Sequence, residues 1–311
     1  MKLRVGTRGS KLALHQTRQT IELIKKAEPE LEIEEVVIKT LGDKVQDLPL
    51  FKVGGQGLFI KAIENALLEN KIDLAVHSLK DVPHEMTAGL VLAAFGLPQD
   101  PRDCLLSFKY DSLQKLPAGA LVGTSSLRRR SQLAKIRPDL KFSDYRGNLD
   151  TRLRKLEEGQ VDAVILAAAG LARYNQQDKI TQYFDTDTIV PPAGQGIIAV
   201  QCCQTDLEQY QPLFKEFSCQ KSTIRAICER AFLKKIQGGC QTPMGIHARI
   251  EEQQIVATSF IGSNDGSKTI SRTDTGPLAE PEKLGIEAAE AIIAAGGLKL
   301  INKPGETDKN E

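Results

Sequence analysis

No stretch of this 311-residue chain approaches the roughly 18 consecutive apolar residues of a membrane-spanning helix. The opening Met1-Lys2-Leu3-Arg4-Val5-Gly6-Thr7-Arg8 lacks the apolar core of a signal peptide. The cytoplasm is therefore the expected compartment, with a processed organellar form as the alternative, and no membrane partner is expected. Aromatic residues are only 5% of the chain, few for a platform that stacks bases. Charge of one sign is missing too: 41 Lys and Arg offset 40 Asp and Glu, for a formal +1. Coating a duplex by bulk positive charge is thus disfavoured, although a local anion site is not. The four histidines and the six cysteines (Cys104, Cys202, Cys203, Cys219, Cys228 and Cys240, with no CxxC pair) suggest neither a zinc cage nor an iron–sulfur site. Most of these thiols are expected to be buried. Long coiled coils and low-complexity linkers are absent as well.

What remains is a soluble composition, 41% apolar with a mean hydropathy of -0.24. Its length suits two or three domains. The first part alternates strand and helix: strand Leu3–Gly6, helix Lys11–Ala27, strand Ile33–Lys39, helix Leu58–Glu69, then strands Ile72–Val76 and Leu90–Phe95. After the two prolines of Leu97–Pro101 the pattern restarts. Strands are predicted at Ala120–Gly123, Lys141–Ser143 and Val161–Leu166, and helices at Ser126–Ile136 and Leu149–Glu157. A second breaker-rich stretch, Val190–Gly196, precedes strand Ile197–Val200. Two such interruptions predict two α/β lobes joined by two crossings, with a ligand cleft between them. The remainder reads as a smaller α+β unit. It has helix Ser222–Ile236, strands Ile246–Ile250, Gln254–Gly262 and Lys268–Arg272, and helix Pro281–Ala295.

Several places carry chemistry. Thr7-Arg8-Gly9-Ser10 and Gly123-Thr124-Ser125-Ser126-Leu127-Arg128-Arg129-Arg130 each run from a strand into a helix start, where free amides favour anions. Adjacent arginines repel one another and the positive helix end, a conflict that an anionic ligand would relieve; a solvated charge run is the alternative. Arg146-Gly147-Asn148, Arg152 and Arg173 extend the cationic rim, with Asn148 placed to cap a helix. Planar guanidinium forks around one cleft suit a small polycarboxylate. Asp81, in Val76-His77-Ser78-Leu79-Lys80-Asp81-Val82-Pro83, follows a buried strand. It is either a turn carboxylate or a group that stabilises positive charge and moves a proton. His77 reads equally as a structural histidine. Cys240 stands in Gly238-Gly239-Cys240-Gln241-Thr242-Pro243, an open loop compatible with a structural thiol, a nucleophile or a covalent attachment.

In order and spacing, these segments resemble the porphobilinogen deaminase family over essentially the whole chain. The resemblance rests on Thr7–Ala13, Val53-Gly54-Gly55-Gln56-Gly57-Leu58-Phe59, Ala75–Pro83, Gly123–Arg129, Arg146-Gly147-Asn148 and Thr151-Arg152-Leu153. It continues through Ile165–Leu171, Pro192-Ala193-Gly194-Gln195-Gly196 and Gly238-Gly239-Cys240-Gln241. It implies two periplasmic-binding-protein-like α/β lobes with a smaller α+β C-terminal domain. The implied divisions are domain 1 at 1–97 and 197–216, domain 2 at 101–191 and domain 3 at 219–311. The implied activity joins four porphobilinogen molecules head to tail into hydroxymethylbilane, a linear tetrapyrrole, with loss of ammonia and hydrolytic release. A dipyrromethane cofactor would be held by a thioether to Cys240. Asp81 would contact pyrrole nitrogens, assist ammonia loss, stabilise an azafulvene-like cation and help remove the later proton.

The same resemblance assigns acetate and propionate binding to Arg8, Ser10, Lys80, Ser126, Arg128, Arg129, Arg146, Arg152 and Arg173. Lys52 and Gln56 are implied loop contacts, no metal is implied, and uroporphyrinogen-III synthase is an implied recipient of product. The chain departs from the family at Gln56, where many members have lysine, so that the loop loses a permanent charge for which Lys52 is the candidate substitute. Cys219-Gln220 and Pro191 are departures as well. A two-lobed anion receptor and a nucleic-acid binder using Arg128–Arg130 are the competing readings. The first leaves Cys240 without a role, and the second conflicts with the composition.

Overall fold

The computed structural model describes residues 2–39, 60–239 and 242–301. The candidates Lys52, Gln56 and Cys240 lie outside the described residues, as does the glycine cluster at 54–57.

Strand β1 (Lys2–Arg8) leads through Ser10 into helix α1 (Lys11–Ala27), followed by β2 (Glu32–Ile38), α2 (Lys61–Leu68), β3 (Leu74–Ser78) and β4 (Leu90–Phe95). The chain then crosses to β5 (Asp103–Leu106), β6 (Leu121–Gly123), α3 (Leu127–Ile136), β7 (Lys141–Ser143), α4 (Leu149–Glu157), β8 (Ala163–Ala167), α5 (Ala168–Ala172) and β9 (Gln182–Tyr183). It returns as β10 (Ile198–Cys203) and the short α6 (Leu207–Tyr210). The third unit comprises α7 (Gln220–Ile236), β11 (Met244–Glu251), β12 (Gln254–Gly262), β13 (Thr269–Pro277) and α8 (Pro281–Ala294).

The first sheet has the order β2-β1-β3-β10-β4 and the second β7-β6-β8-β5-β9. In each, the fourth position is an antiparallel strand that has just arrived from the other lobe: β10 in the first, β5 in the second. The same plan twice, with crossed strands, is the two-lobed α/β architecture expected, and the third sheet, β11-β12-β13, is the smaller α+β unit. The crossings lie side by side, with the Gln99 N–H donating to the Gly196 carbonyl at 2.8 Å and the Gly96 N–H to that of Ile198 at 2.9 Å. Gly196 has φ +84°, and a Cβ there would sit 2.5 Å from the Gln99 oxygen, so the close approach needs glycine.

Local chemistry accounts for the element boundaries. Ser10, Ser126 and Asn148 each cap the helix that follows, accepting from Ala13, Arg129 and Thr151 N–H groups. Helix α1 buries Gln16, Thr17, Thr20 and Ile24, one face at helical spacing. The expected strand at 72–76 begins instead at Leu74, because the Lys71 and Ile72 amides still bond to the Ala66 carbonyl and close α2. The expected strand at 268–272 extends to Pro277 as an outer, largely exposed strand without apolar alternation. Strands β5 and β9 were not expected. Asp103-Cys104-Leu105-Leu106 is buried at every position and too short to show a period.

Candidate active site

A cavity of about 340 Å³ lies where the three units meet. The first lobe contributes Lys80 to His84, and the second Gly123 to Ser126, Arg128, Arg129, Tyr145 and Arg152. Pro192, Ala193 and Gln195 come from the second crossing, and Leu233, Gly238, Gly239, Thr242 and Met244 from the third unit. Of the candidate site residues, Lys80, Asp81, Ser126, Arg128, Arg129 and Arg152 thus share one lining. Arg8, Ser10, Arg146 and Arg173 lie beyond it.

Asp81 ends the 3-10 turn Leu79–Asp81 that follows β3, and its side chain is exposed at the cavity. The turn is fixed by its backbone rather than by the carboxylate. The Leu79 N–H donates to the Ile197 carbonyl at 2.9 Å, and the Val82 N–H to that of Leu79 at 3.0 Å. From α7, the Arg230 guanidinium donates to the carbonyls of Val82, Pro83 and His84 at 3.4, 2.9 and 3.3 Å. The third unit thereby grips the segment just after Asp81. Beside it, burial pushes Lys80 down to about 8, against the pull of Asp81. Its Nζ donates to Gln195 Oε1 at 3.4 Å.

The arginine run at the start of α3 has an internal answer to its repulsion. Arg128 Nη2 and Arg129 Nη2 donate to the two oxygens of Asp103 at 2.6 and 2.7 Å, and Asp103 is fully buried. Burial alone would raise the Asp103 pKa, yet the two guanidinium groups hold it well below the usual carboxylate range. Arg128 also donates to the Val190 carbonyl at 2.7 Å and Arg129 to that of Ile165 at 3.0 Å. Arg130 is exposed and stands over the Phe142 ring at 5.8 Å. A protein carboxylate, rather than a ligand alone, therefore compensates two of the three arginines.

Positive charge is left over elsewhere. Burial pushes Arg152 down to about 10, and its Nε donates to the Gly147 carbonyl at 2.9 Å. Burial also pushes Arg173 down to about 10, opposed by the charge of Asp81. Arg173 Nε and Nη2 and Arg129 Nε are buried without a hydrogen-bond partner among the described residues. Such donors fit an acceptor-rich ligand. Ser10 and Ser126 cap helices, and Arg146 sits in the turn before α4, where its carbonyl accepts from Lys155 Nζ at 3.4 Å.

His77 proves structural. Its Nε2 meets Gln201 Oε1 at 3.0 Å, and Gln201 Nε2 donates to Glu64 Oε1, also at 3.0 Å. Because the amide nitrogen of Gln201 faces a carboxylate, its oxygen must accept, which assigns the proton to His77 Nε2. Burial lowers the imidazole to about 4, so it is neutral near pH 7. Cys104 and Cys228 are fully buried, and burial raises each to about 12, leaving inert thiols. Gly239 and Thr242 bond to each other: the Thr242 N–H donates to the Gly239 carbonyl at 2.9 Å, and the Gly239 N–H to Thr242 Oγ1 at 3.3 Å.

Three residues of this site escape sequence reasoning: Asp103, Gln195 and Arg230. Asp103 opens an unrecognised strand, Gln195 lies in a glycine-rich crossing, and Arg230 is one cation among many on α7. The repulsion within the run at 128–130, which the sequence reads as a need for an anionic ligand, is the one signal that bears on Asp103.

Two family models match the chain. Residues 3–211 match the porphobilinogen deaminase, dipyromethane cofactor binding domain, and residues 223–294 the porphobilinogen deaminase, C-terminal domain. The porphobilinogen deaminase of Brevibacillus brevis is 47% identical over 296 residues, covering 95% of each chain. That of Geobacter sulfurreducens is 44% identical over 301 residues, covering 96% of this chain and 94% of its own. Among solved structures, the methionine-binding protein MetQ is 12% identical with a TM-score of 0.46, covering 72% of this chain and 93% of that one. With both models matched in order and such identity along nearly its whole length, the chain belongs to the porphobilinogen deaminase family.

Proposed function

We propose that this chain condenses four porphobilinogen molecules head to tail into hydroxymethylbilane, with one ammonia lost at each addition and product freed by hydrolysis. The observation that carries the reading is the pairing of one exposed aspartate, Asp81, with buried guanidinium groups, two of which keep donors that have no partner among the described residues. Porphobilinogen brings two carboxylates for those donors and a pyrrole that becomes positively charged as ammonia leaves.

The same donors fit a dipyrromethane, whose acetates and propionates are acceptors of the kind Arg129 and Arg173 lack. When bound, that group supplies the pyrrole carbon to which the first substrate is joined. Arg8, Ser10, Lys80, Ser126, Arg128, Arg129, Arg146, Arg152 and Arg173 bind and orient carboxylates of cofactor, substrate and growing chain, and Lys52 and Gln56 are further contacts. Asp81 holds pyrrole N–H groups and stabilises positive charge while the carbon–nitrogen bond breaks. After the new carbon–carbon bond forms, it accepts the proton released from the ring carbon.

Cys240 is the attachment point. Its neighbours Gly238, Gly239 and Thr242 line the cavity, and the described cysteines are free thiols. The proposed divisions are 1–97 with 197–216, 101–191 and 219–311; the three separate sheets support them, as does the packing of Tyr210, Leu213 and Phe214 on the first lobe. The proposed compartment is the cytoplasm and the proposed recipient of product is uroporphyrinogen-III synthase; among the described residues no helix is long and apolar enough to cross a membrane. The attachment is tested by denatured intact mass. The wild-type protein is expected to exceed its polypeptide mass by two linked pyrroles, and Cys240→Ser to lose that excess. An unchanged adduct on the variant would move the linkage to another residue.

A further inference from the structure

We propose that Gln195 is a positioning residue that couples Lys80, next to the proposed catalytic Asp81, to the Asp103–Arg128–Arg129 cluster across the two crossings. Its side-chain amide is used on both sides. Nε2 donates to the Pro101 carbonyl at 2.7 Å and to Asp103 Oδ1 at 3.0 Å, while Oε1 accepts from Lys80 Nζ at 3.4 Å. The residue is 1% exposed, so its amide has little access to bulk water. The amide can sit in only one orientation, because the flipped form would aim its oxygen at a carbonyl and a carboxylate and its NH2 at an ammonium.

Each partner belongs to a different part of the machinery. Pro101 is on the first crossing and Gln195 on the second, so this bond pins the two connections together. Asp103, at the start of β5, holds the two buried guanidinium groups of α3. Lys80 needs the help most. Burial lowers its pKa to about 8, Arg129 and Arg173 press it the same way, and Asp81 and Asp103 oppose them. An acceptor on its ammonium favours the charged form, which is the form that binds carboxylate. The inference rests on the carboxylate-binding role given to Lys80 above.

The test compares wild-type holoenzyme with Gln195→Met and Gln195→Glu, each checked by intact mass for the cofactor. The values of kcat and KM for porphobilinogen are followed from mildly acid to mildly alkaline pH. Methionine keeps length and volume but neither donates nor accepts strongly. In that variant KM is expected to rise by roughly tenfold near neutral pH, with the alkaline fall in kcat/KM displaced to lower pH. The introduced carboxylate of Gln195→Glu would face Asp103 and the Pro101 carbonyl with no proton to offer. That variant is expected to be poor at alkaline pH and to recover as pH falls and its carboxyl gains a proton, in the same sense as the methionine variant but set by the new carboxyl rather than by Lys80. Two profiles parallel to wild type would overturn the proposal while leaving the enzyme's function standing. A wild-type protein that neither carries the pyrrole adduct nor releases ammonia would overturn both.

Discussion

Replacing Asp81 with alanine is expected to lower tetrapyrrole formation by roughly 10²–10⁴-fold while leaving a folded protein that still carries its cofactor. The separation follows from how the turn is built. Leu79 is buried beneath it, its backbone is bonded to the second crossing, and Arg230 holds the three carbonyls that follow. None of these contacts uses the Asp81 carboxylate. Its removal takes away the negative charge that supports the ionised forms of Lys80 and Arg173. It also removes the group proposed to meet the developing cation. Asp81→Asn, which keeps shape but not charge, should be similarly slow. Rapid-quench measurement of ammonia release, beside thermal melting of the same samples, checks both halves; near-normal release by the alanine variant would remove Asp81 from the chemistry.

Loss of Asp103 should act through the fold instead. Asp103→Ala leaves the Arg128 and Arg129 guanidinium groups buried without their shared acid, and breaking such a pair costs about 3–5 kcal/mol. Retained carbonyl contacts at Val190 and Ile165 keep the cost from the upper end. The pH dependence carries a definite sign. The folded pKa of Asp103 lies below its unfolded value of about 3.9. Its contribution to stability is therefore present above that unfolded value and is lost as pH falls through the folded one. Urea unfolding should show a large loss in the variant at neutral pH and a smaller difference from wild type in acid. Equal stability of the two proteins at neutral pH would mean that the arginines do not depend on this acid.

Much of the architecture is legible in the sequence because local signals agree with the fold. Helix α1 occurs at its expected bounds because Ser10 caps it and its buried face recurs at helical spacing. The breaker-rich segments around 97–101 and 190–196 are the two crossings, and the glycine at 196 is there for a backbone contact. Strand β5 was illegible for a physical reason: four buried residues between a crossing and a loop show no period. With it goes Asp103, so that in the sequence the run at Arg128–Arg130 reads as needing an outside anion. Arg128 and Arg129 meet that need largely inside the protein, whereas Arg173, whose Nε and Nη2 have no partner among the described residues, keeps the demand for a ligand. Gln195 and Arg230 act through contacts made only after two distant segments fold together, which no local pattern records.

Growth of a pyrrole chain on the protein itself is the central claim, and intact mass of the denatured enzyme before and after limiting porphobilinogen tests it most directly. The resting protein should exceed its polypeptide mass by two linked pyrroles. Addition of substrate should then give a ladder of species one pyrrole apart, which collapses to the starting mass as linear tetrapyrrole is released. A bare polypeptide mass that porphobilinogen leaves unchanged would contradict the account.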